Sequence, residues 1–280
     1  MGNCMNYIKL YRWDVALITF LSYLVGSEIA GKMDLKNILI ALFVSLISVN
    51  FIYSFNSWAD WEIDKFNKPE RPIPSGRLKP HEAFIYSIII MIISLIYPFI
   101  IYVSYVTLFL FLLFPLLGIV YSLKPVRLKR YFIPATFITS TILVIPIILG
   151  YFMNRTDFSQ IPFFISLFLY CLSIIPIKDV EDIKGDIIYN CENWFFKLGE
   201  KKLLLLSMGG LTFNLILIFF LKIGLLLKIY LFTFIITSIF VILIFIVFKL
   251  NLNLLYRTII RLVIIEGIML FFLLRFGIKL

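Results

Sequence analysis

From Ala83 to Leu123 the chain runs for 41 residues without a charged side chain. A helix rising 1.5 Å per residue needs about 20 apolar residues to cross the hydrocarbon layer of a bilayer, so this stretch holds two crossings joined by a tight turn near Tyr102 to Tyr105. In hydrocarbon every backbone N–H and C=O must be paired within its own segment, which leaves the helix as the form such runs take. The same ruler finds one crossing each in Ile38 to Phe55, Tyr131 to Asn154, Phe158 to Ile177, Leu203 to Leu221 and Ile229 to Phe248. Two further candidates stand at the ends: Trp13 to Ala30, with Asp14 and Glu28 inside it, and Thr258 to Phe276, interrupted by Arg261, Glu266 and Arg275. The expected fold is an all-α integral membrane protein, one polytopic domain over residues 1–280 with nine transmembrane helices. With 62% of residues hydrophobic and 15% charged, the composition leaves no room for a soluble globular alternative.

The net charge of +10 would suggest nucleic acid in a soluble protein, but here its distribution explains it. With the N-terminus inside, 19 of the 26 Lys and Arg fall on inner segments, the asymmetry that orients membrane proteins. The inner face then carries the long polar loops, residues 57–82 and 179–202, so chemistry is expected on the cytoplasmic side. No nucleic-acid or protein partner is predicted. Cys4, Cys171 and Cys191 form no C-x-x-C, and with the lone His81 they make neither a disulfide framework nor a zinc site. No cleavable signal peptide is expected at the start, and Asn6 stands where N-myristoylation needs Ser or Thr.

Acidic residues gather at two inner helix ends. Asn56, Asp60 and Asp64 follow an i, i+4, i+8 spacing that puts them on one helical face, with a drift of about 40° per step. Four spans later Asp179, Asp182 and Asp186 repeat the arrangement, which reads as two pseudo-repeated four-helix halves plus one helix, with a site where the halves meet. Stacked carboxylates repel one another and call for a cation; oxygen-only ligands of this hardness suit Mg²⁺, held between the acids and a phosphate-rich substrate. The plain alternative is a pair of solvated helix ends whose acids pair with Lys65, Lys178 or Lys184.

The stretch after the first cluster, Asn67-Lys68-Pro69-Glu70-Arg71-Pro72-Ile73-Pro74-Ser75-Gly76-Arg77, is too rich in proline to be helical. Together with Asn56, Asp60 and Asp64 it resembles the first motif and following loop of the UbiA-type intramembrane prenyltransferases, with Ser57 in place of that family's first Asp. Tyr121-Ser122-Leu123-Lys124-Pro125-Val126-Arg127-Leu128-Lys129-Arg130 is similar to a second family loop, and Lys178 to Asp186 to the family's second acidic motif. The resemblance extends from about Tyr7 to Phe276, and the two acidic loops are most similar to the archaeal ether-lipid-forming branch. It implies that Asn56, Asp60, Asp64, Asp179, Asp182 and Asp186 bind Mg²⁺ bridging a polyprenyl diphosphate. Asp60, Asp64, Asp182 and Asp186 are then the catalytic acids, with Asn56, Arg71, Arg77, Lys124, Lys178 and Arg12 on the substrates. The implied reaction is transfer of a prenyl group, best geranylgeranyl, to geranylgeranylglyceryl phosphate, or alternatively to an aromatic acceptor.

The chain departs from that branch in three places. Arg12-Trp13-Asp14-Val15 replaces R-P-x-N, Ile174 stands where an Arg precedes the second motif, and Glu192 to Lys197 replaces a T-L-P segment. Each bears on the acceptor rather than on diphosphate chemistry. A transporter built of repeated halves is the non-enzyme rival, but it predicts polar or broken helices at mid-bilayer, whereas here the acids sit at helix ends. The stripe Ser22, Gly26, Ala30 is read as helix packing, and Glu266 as burial against Arg261 or a polar contact between helices.

Overall fold

The computed structural model describes residues 2–101 and 103–276. Tyr102, at the predicted turn, and Lys279, counted among the cations of the far side, lie outside them. Within the described residues the regular structure is helical. The chain opens with a short helix α1 (Gly2–Ile8), followed by α2 (Trp13–Ile29), α3 (Leu35–Ala59) and the short α4 (Trp61–Asn67). Then come α5 (Pro80–Ile100), α6 (Tyr105–Ser122), α7 (Phe132–Phe152) and α8 (Ile161–Ile174), which continues as a 3₁₀ segment, Ile175–Asp182. The short α9 (Ile183–Ile188), α10 (Trp194–Phe220), α11 (Leu225–Val247) and α12 (Leu252–Phe276) complete it.

Seven of these are long and apolar enough to cross a membrane: α3, α5, α6, α7, α8 extended to Val180, α10 and α11. The two end candidates form helices but fall short of that measure. Helix α2 has 17 residues, and α12 carries Arg257, Arg261, Glu266 and Arg275 along its length. Both are nonetheless part of the bundle, α2 packing on α7 and on α12.

The α2–α7 crossing is the tightest in the fold because both helices present glycine. A Cβ on Gly26 would strike the Ile147 carbonyl, and one on Gly150 would strike the Tyr23 carbonyl. Gly26, the middle of the small-residue stripe, is therefore a packing position. At the same end of the bundle, Asn37 accepts a hydrogen bond from Tyr23 (3.2 Å) and exchanges amide contacts with Asn154 (3.1 Å), while Arg155 Nε donates to the Ala30 carbonyl (3.1 Å). Arg275 pairs there with Glu28 at 3.3 Å. Glu266 lies near Tyr170 and Tyr230, not in a pair with Arg261.

Two expected continuous helical faces are broken at the opposite end. Helix α3 stops at Ala59, Asp60 caps it, and α4 starts afresh, though Asp60 and Asp64 still donate N–H bonds to Asn56 O (3.0 Å) and Asp60 O (2.8 Å). The second cluster straddles a 3₁₀ segment and α9. Pro176 has no N–H for the α-helical bond to residue 172, and the tighter winding that follows brings residues three apart onto one edge.

Candidate active site

Helices α4 and α9 are brought together by a glycine. The Gly185 N–H donates to Asn67 Oδ1 at 2.5 Å, and a Cβ on Gly185 would lie 2.6 Å from both Asn67 and Ile63. No larger residue allows the two short acidic helices so close, and the contact sets the first cluster facing the second.

Basic residues from two loops fill the space between. Asp60 accepts from Arg127 (2.8 Å) and also pairs with Lys129, in a buried group to which Asn56 adds a side-chain amide at 2.8 Å. The other Asn56 contact, Ser122 Oγ at 3.1 Å, ties the cluster to the end of α6. Arg71 pairs with Asp64 at 2.6 Å and Lys68 with Asp182 at 2.5 Å, so a cation from the first motif is held by an acid of the second. Asp186 accepts from Asn193 at 2.8 Å.

The electrostatics follow this wiring. Burial and the neighbouring Asp60 push the Asp64 carboxyl above the ordinary carboxylate range despite Arg71. Burial, reinforced by Asp182 and Asp60, lifts Asp186 to about 6 against the Asn193 hydrogen bond. Asp182 goes the other way: burial pushes it up, but Lys68 and Lys178 outweigh that and hold it low. The two clusters thus feel each other's charge, as one site does.

Other predicted residues are placed differently. Asp179 accepts the Trp194 N–H through Oδ2 (3.0 Å) and, through its carbonyl, the Asn193 amide (2.8 Å), which engages it with the start of α10. Arg77 folds back on its own loop, donating to Ser75 Oγ (2.8 Å) and to the Glu70 carbonyl, and Lys124 is exposed. Arg127 and Lys129, three and five residues beyond Lys124, are the cations of this loop that reach Asp60. Arg127 takes a left-handed backbone (φ 34°), uncommon outside glycine, which turns its side chain inward, and its buried Nε–H has no acceptor. Lys68, Lys129, Asn193 and Arg127 are the functional candidates that motif spacing did not single out. Only their places inside the quoted loops hinted at them.

An apolar cavity opens inward from Arg12 and Lys178. Its head is polar, with Arg12, Tyr53, Lys178 and Tyr256; its depth is lined by Val25, Ile147, Phe163, Phe234 and Leu270. The span from Arg12 to Val25 on α2, or from Tyr256 to Leu270 on α12, corresponds to a depth of roughly 20 Å at the rise of an α-helix. At the head, Arg12 is bound to Asp14 (2.7 and 3.0 Å), with its guanidinium 5.5 Å from the Tyr53 ring centre.

Among the described residues no three acids converge on a single point. Two acidic helix ends facing across a set of lysines and arginines still fit Mg²⁺, which takes one or two carboxylates and completes its shell with phosphate oxygens and water. The arrangement suits a polyanion with a long apolar tail: charge at the helix ends, hydrocarbon in the cavity.

The comparisons with known proteins agree. A profile of the UbiA prenyltransferase family matches residues 15–257. Digeranylgeranylglyceryl phosphate synthase of Methanosphaera stadtmanae is 30% identical over 212 residues, 72% of this chain and 72% of that protein. The probable homogentisate phytyltransferase 2, chloroplastic, of Oryza sativa subsp. japonica is 32% identical over 187 residues, 61% of this chain and 48% of that one. In fold, a UbiA homologue from Archaeoglobus fulgidus, solved bound to GPP and Mg²⁺, superposes with a TM-score of 0.74 over 95% of this chain and 99% of that one, at 18% identity.

Proposed function

The chain belongs to the UbiA prenyltransferase family, and from that premise we propose that it transfers a geranylgeranyl group from its diphosphate to geranylgeranylglyceryl phosphate, forming an ether, with Mg²⁺ as cofactor. The observation that carries this reading is the meeting of Asp60 and Asp64 with Asp182 and Asp186 among Lys68, Arg71, Arg127 and Lys129, next to an apolar cavity whose polar lining includes Lys178, a cation that acts on Asp182.

Asn56, Asp60, Asp64, Asp182 and Asp186 would hold Mg²⁺, with Asp179 completing the second set; the ion supplies positive charge against the departing diphosphate. Arg127 brings a buried donor with no protein acceptor, suited to a phosphate oxygen, and Lys129, Arg71 and Lys68 neutralise the negative charge that grows as the allylic C–O bond breaks. The prenyl chain lies in the cavity, whose apolar walls keep water from the allylic cation, and the Tyr53 ring at its head offers that cation an aromatic face. The acceptor hydroxyl then supplies the electron pair for the new C–O bond and loses its proton to the released diphosphate.

In this reading α2 and α12 complete nine crossings, two four-helix halves plus one, and the acids face the cytoplasm with the N-terminus. The cation asymmetry supports that orientation. A second reading, prenylation of an aromatic ring, draws support from the rice relative. Purified protein given Mg²⁺, labelled geranylgeranyl diphosphate and a panel of geranylgeranylglyceryl phosphate, 4-hydroxybenzoate, a naphthoate and homogentisate separates the two. Ether formation on the glyceryl phosphate is expected; label on a ring alone replaces the lipid acceptor, and label on none refutes the transfer.

A further inference from the structure

The loop between α4 and α5 has two kinds of anchor. Its cations are tied to the acids, Lys68 to Asp182 and Arg71 to Asp64. Its apolar residues Ile73 and Leu78 are buried apart from the main core, in a small cluster whose other buried members are Ala83 of α5 and Leu10. Ile73, Leu78 and Ala83 are near neighbours in the chain, so Leu10 is the member that ties the loop to a distant segment. The residues before Leu10 extend the contact: the Asn6 amide donates to the Arg77 carbonyl at 3.0 Å, and the Tyr7 ring centre lies 5.0 Å from that of Tyr86.

The residues after Leu10 are fixed elsewhere. Tyr11 belongs to the main core, and its hydroxyl donates to the Ser45 carbonyl at 2.7 Å, in the turn of α3, Val44–Ser48, that is wound as a π-helix. Arg12 lines the apolar cavity. Three consecutive side chains thus reach the loop, the bundle and the cavity, which makes residues 6–11 a strap between a fixed point on α3 and the loop. A segment held down by few buried apolar contacts opens at low cost, so the loss of Leu10 should lift the loop and carry Lys68 and Arg71 off the acids.

Resting on the prenyl-transfer reading, we infer that this strap positions Lys68 and Arg71 at the diphosphate site, with Leu10 as the positioning residue. Before substrate binds, the two cations neutralise Asp182 and Asp64 and so compete with a metal ion for them; once it binds, they offset the charge of the phosphates. Loosening the strap should therefore separate two binding reactions that a general weakening of the fold would impair together.

The test compares wild type with Leu10→Ala and with Leu10→Met, which nearly conserves the volume. At saturating Mg²⁺, Leu10→Ala is expected to raise the Kd for labelled geranylgeranyl diphosphate by about tenfold, the scale of one lost charge-assisted hydrogen bond. Leu10→Met should stay within about twofold of wild type. Binding of Mn²⁺ alone, read by electron paramagnetic resonance, should be equal or tighter in Leu10→Ala, because the acids lose their competing cations. An unchanged diphosphate Kd overturns the assignment, and so does a matched loss of Mn²⁺ and diphosphate binding. Should Leu10→Ala not yield folded protein, Asn6→Ala combined with Tyr7→Ala removes the half-buried contacts of the strap and should give a smaller shift with the same separation. That double variant binding diphosphate as wild type does would equally overturn it. A wild type that binds no prenyl diphosphate refutes the transfer reading itself, whereas wild-type binding with an indifferent Leu10→Ala refutes the strap alone.

Discussion

Asp60 and Asp182 occupy the same backbone conformation, φ −110° and ψ 4° for the first, φ −111° and ψ 14° for the second, each closing one helical segment and opening the next. Both leave the α-helical basin for the sparsely populated bridge region, which sets the following short helix at an angle to the one before it. The two acidic clusters are thus delivered through the same local device, down to individual torsions.

Asp60→Ala and Asp182→Ala should each lower turnover by at least about 100-fold, since each removes leaving-group stabilisation worth some 3 kcal/mol or more. Their effects on folding should differ. Asp60 is buried and holds both Arg127 and Lys129, so its loss strands two cations and should cost about 3–5 kcal/mol in the metal-free protein. Asp182, a quarter exposed, forms its ion pair with Lys68, and its removal should cost far less. Thermal unfolding in detergent without metal checks this; equal melting points for the two variants would contradict the wiring of Asp60.

Binding of a labelled prenyl diphosphate should require divalent metal. Chelation with EDTA should weaken it by at least about tenfold, because Mg²⁺ links carboxylate and phosphate oxygens that otherwise repel. Equal binding with and without chelator would mean that the lysines and arginines suffice and that the acids serve only to position them.

Gly185→Ala should separate α4 from α9 and break the Gly185–Asn67 hydrogen bond. The strain of overpacking, about 1–3 kcal/mol, falls on the one contact that aligns the two clusters. Turnover should drop by about tenfold or more while helix content by circular dichroism is unchanged. Asn67→Ala, which keeps the glycine, should show a smaller loss. A fully active Gly185→Ala protein would show that the two short helices need not touch.

Gly26→Leu should be harsher on the fold than any change at the acids, for it drives a side chain into the Ile147 carbonyl where two helices meet backbone to backbone. Loss of the folded, monodisperse protein in detergent is the expected outcome, read by size-exclusion chromatography. A stable Gly26→Leu protein would place that crossing elsewhere.

Much of the bundle was legible as charge-free length, because hydrocarbon permits few alternatives to a helix over such runs. The end helices were less so: Asp14, Glu28, Arg261, Glu266 and Arg275 interrupt the pattern, and what keeps α2 and α12 in the bundle is packing and the Glu28–Arg275 pair, both long-range. At the site, the acids could be read from spacing and Arg71 from the resemblance of its loop, but the reach of Arg127 to Asp60 could not. It turns on a left-handed residue in a proline-bearing loop, a backbone choice that neighbouring chain imposes. The broken helical faces escaped for a similar reason: a helical period drawn through Asn56, Asp60 and Asp64 does not show that the middle residue is the break. Pro176 was the visible cue in the second cluster, where it precedes the 3₁₀ winding.

The Lys68–Asp182 pair and the Asn67–Gly185 hydrogen bond both join the first half of the sequence to the second. The proposed catalytic centre is consequently a joint property, owned by neither half, and the turn after Phe152 that links them at the far end lies outside it. A chain interrupted at that turn would yield two inactive pieces whose reassembly in one membrane could be followed by the return of activity alone, making the reaction its own reporter of how the halves find each other.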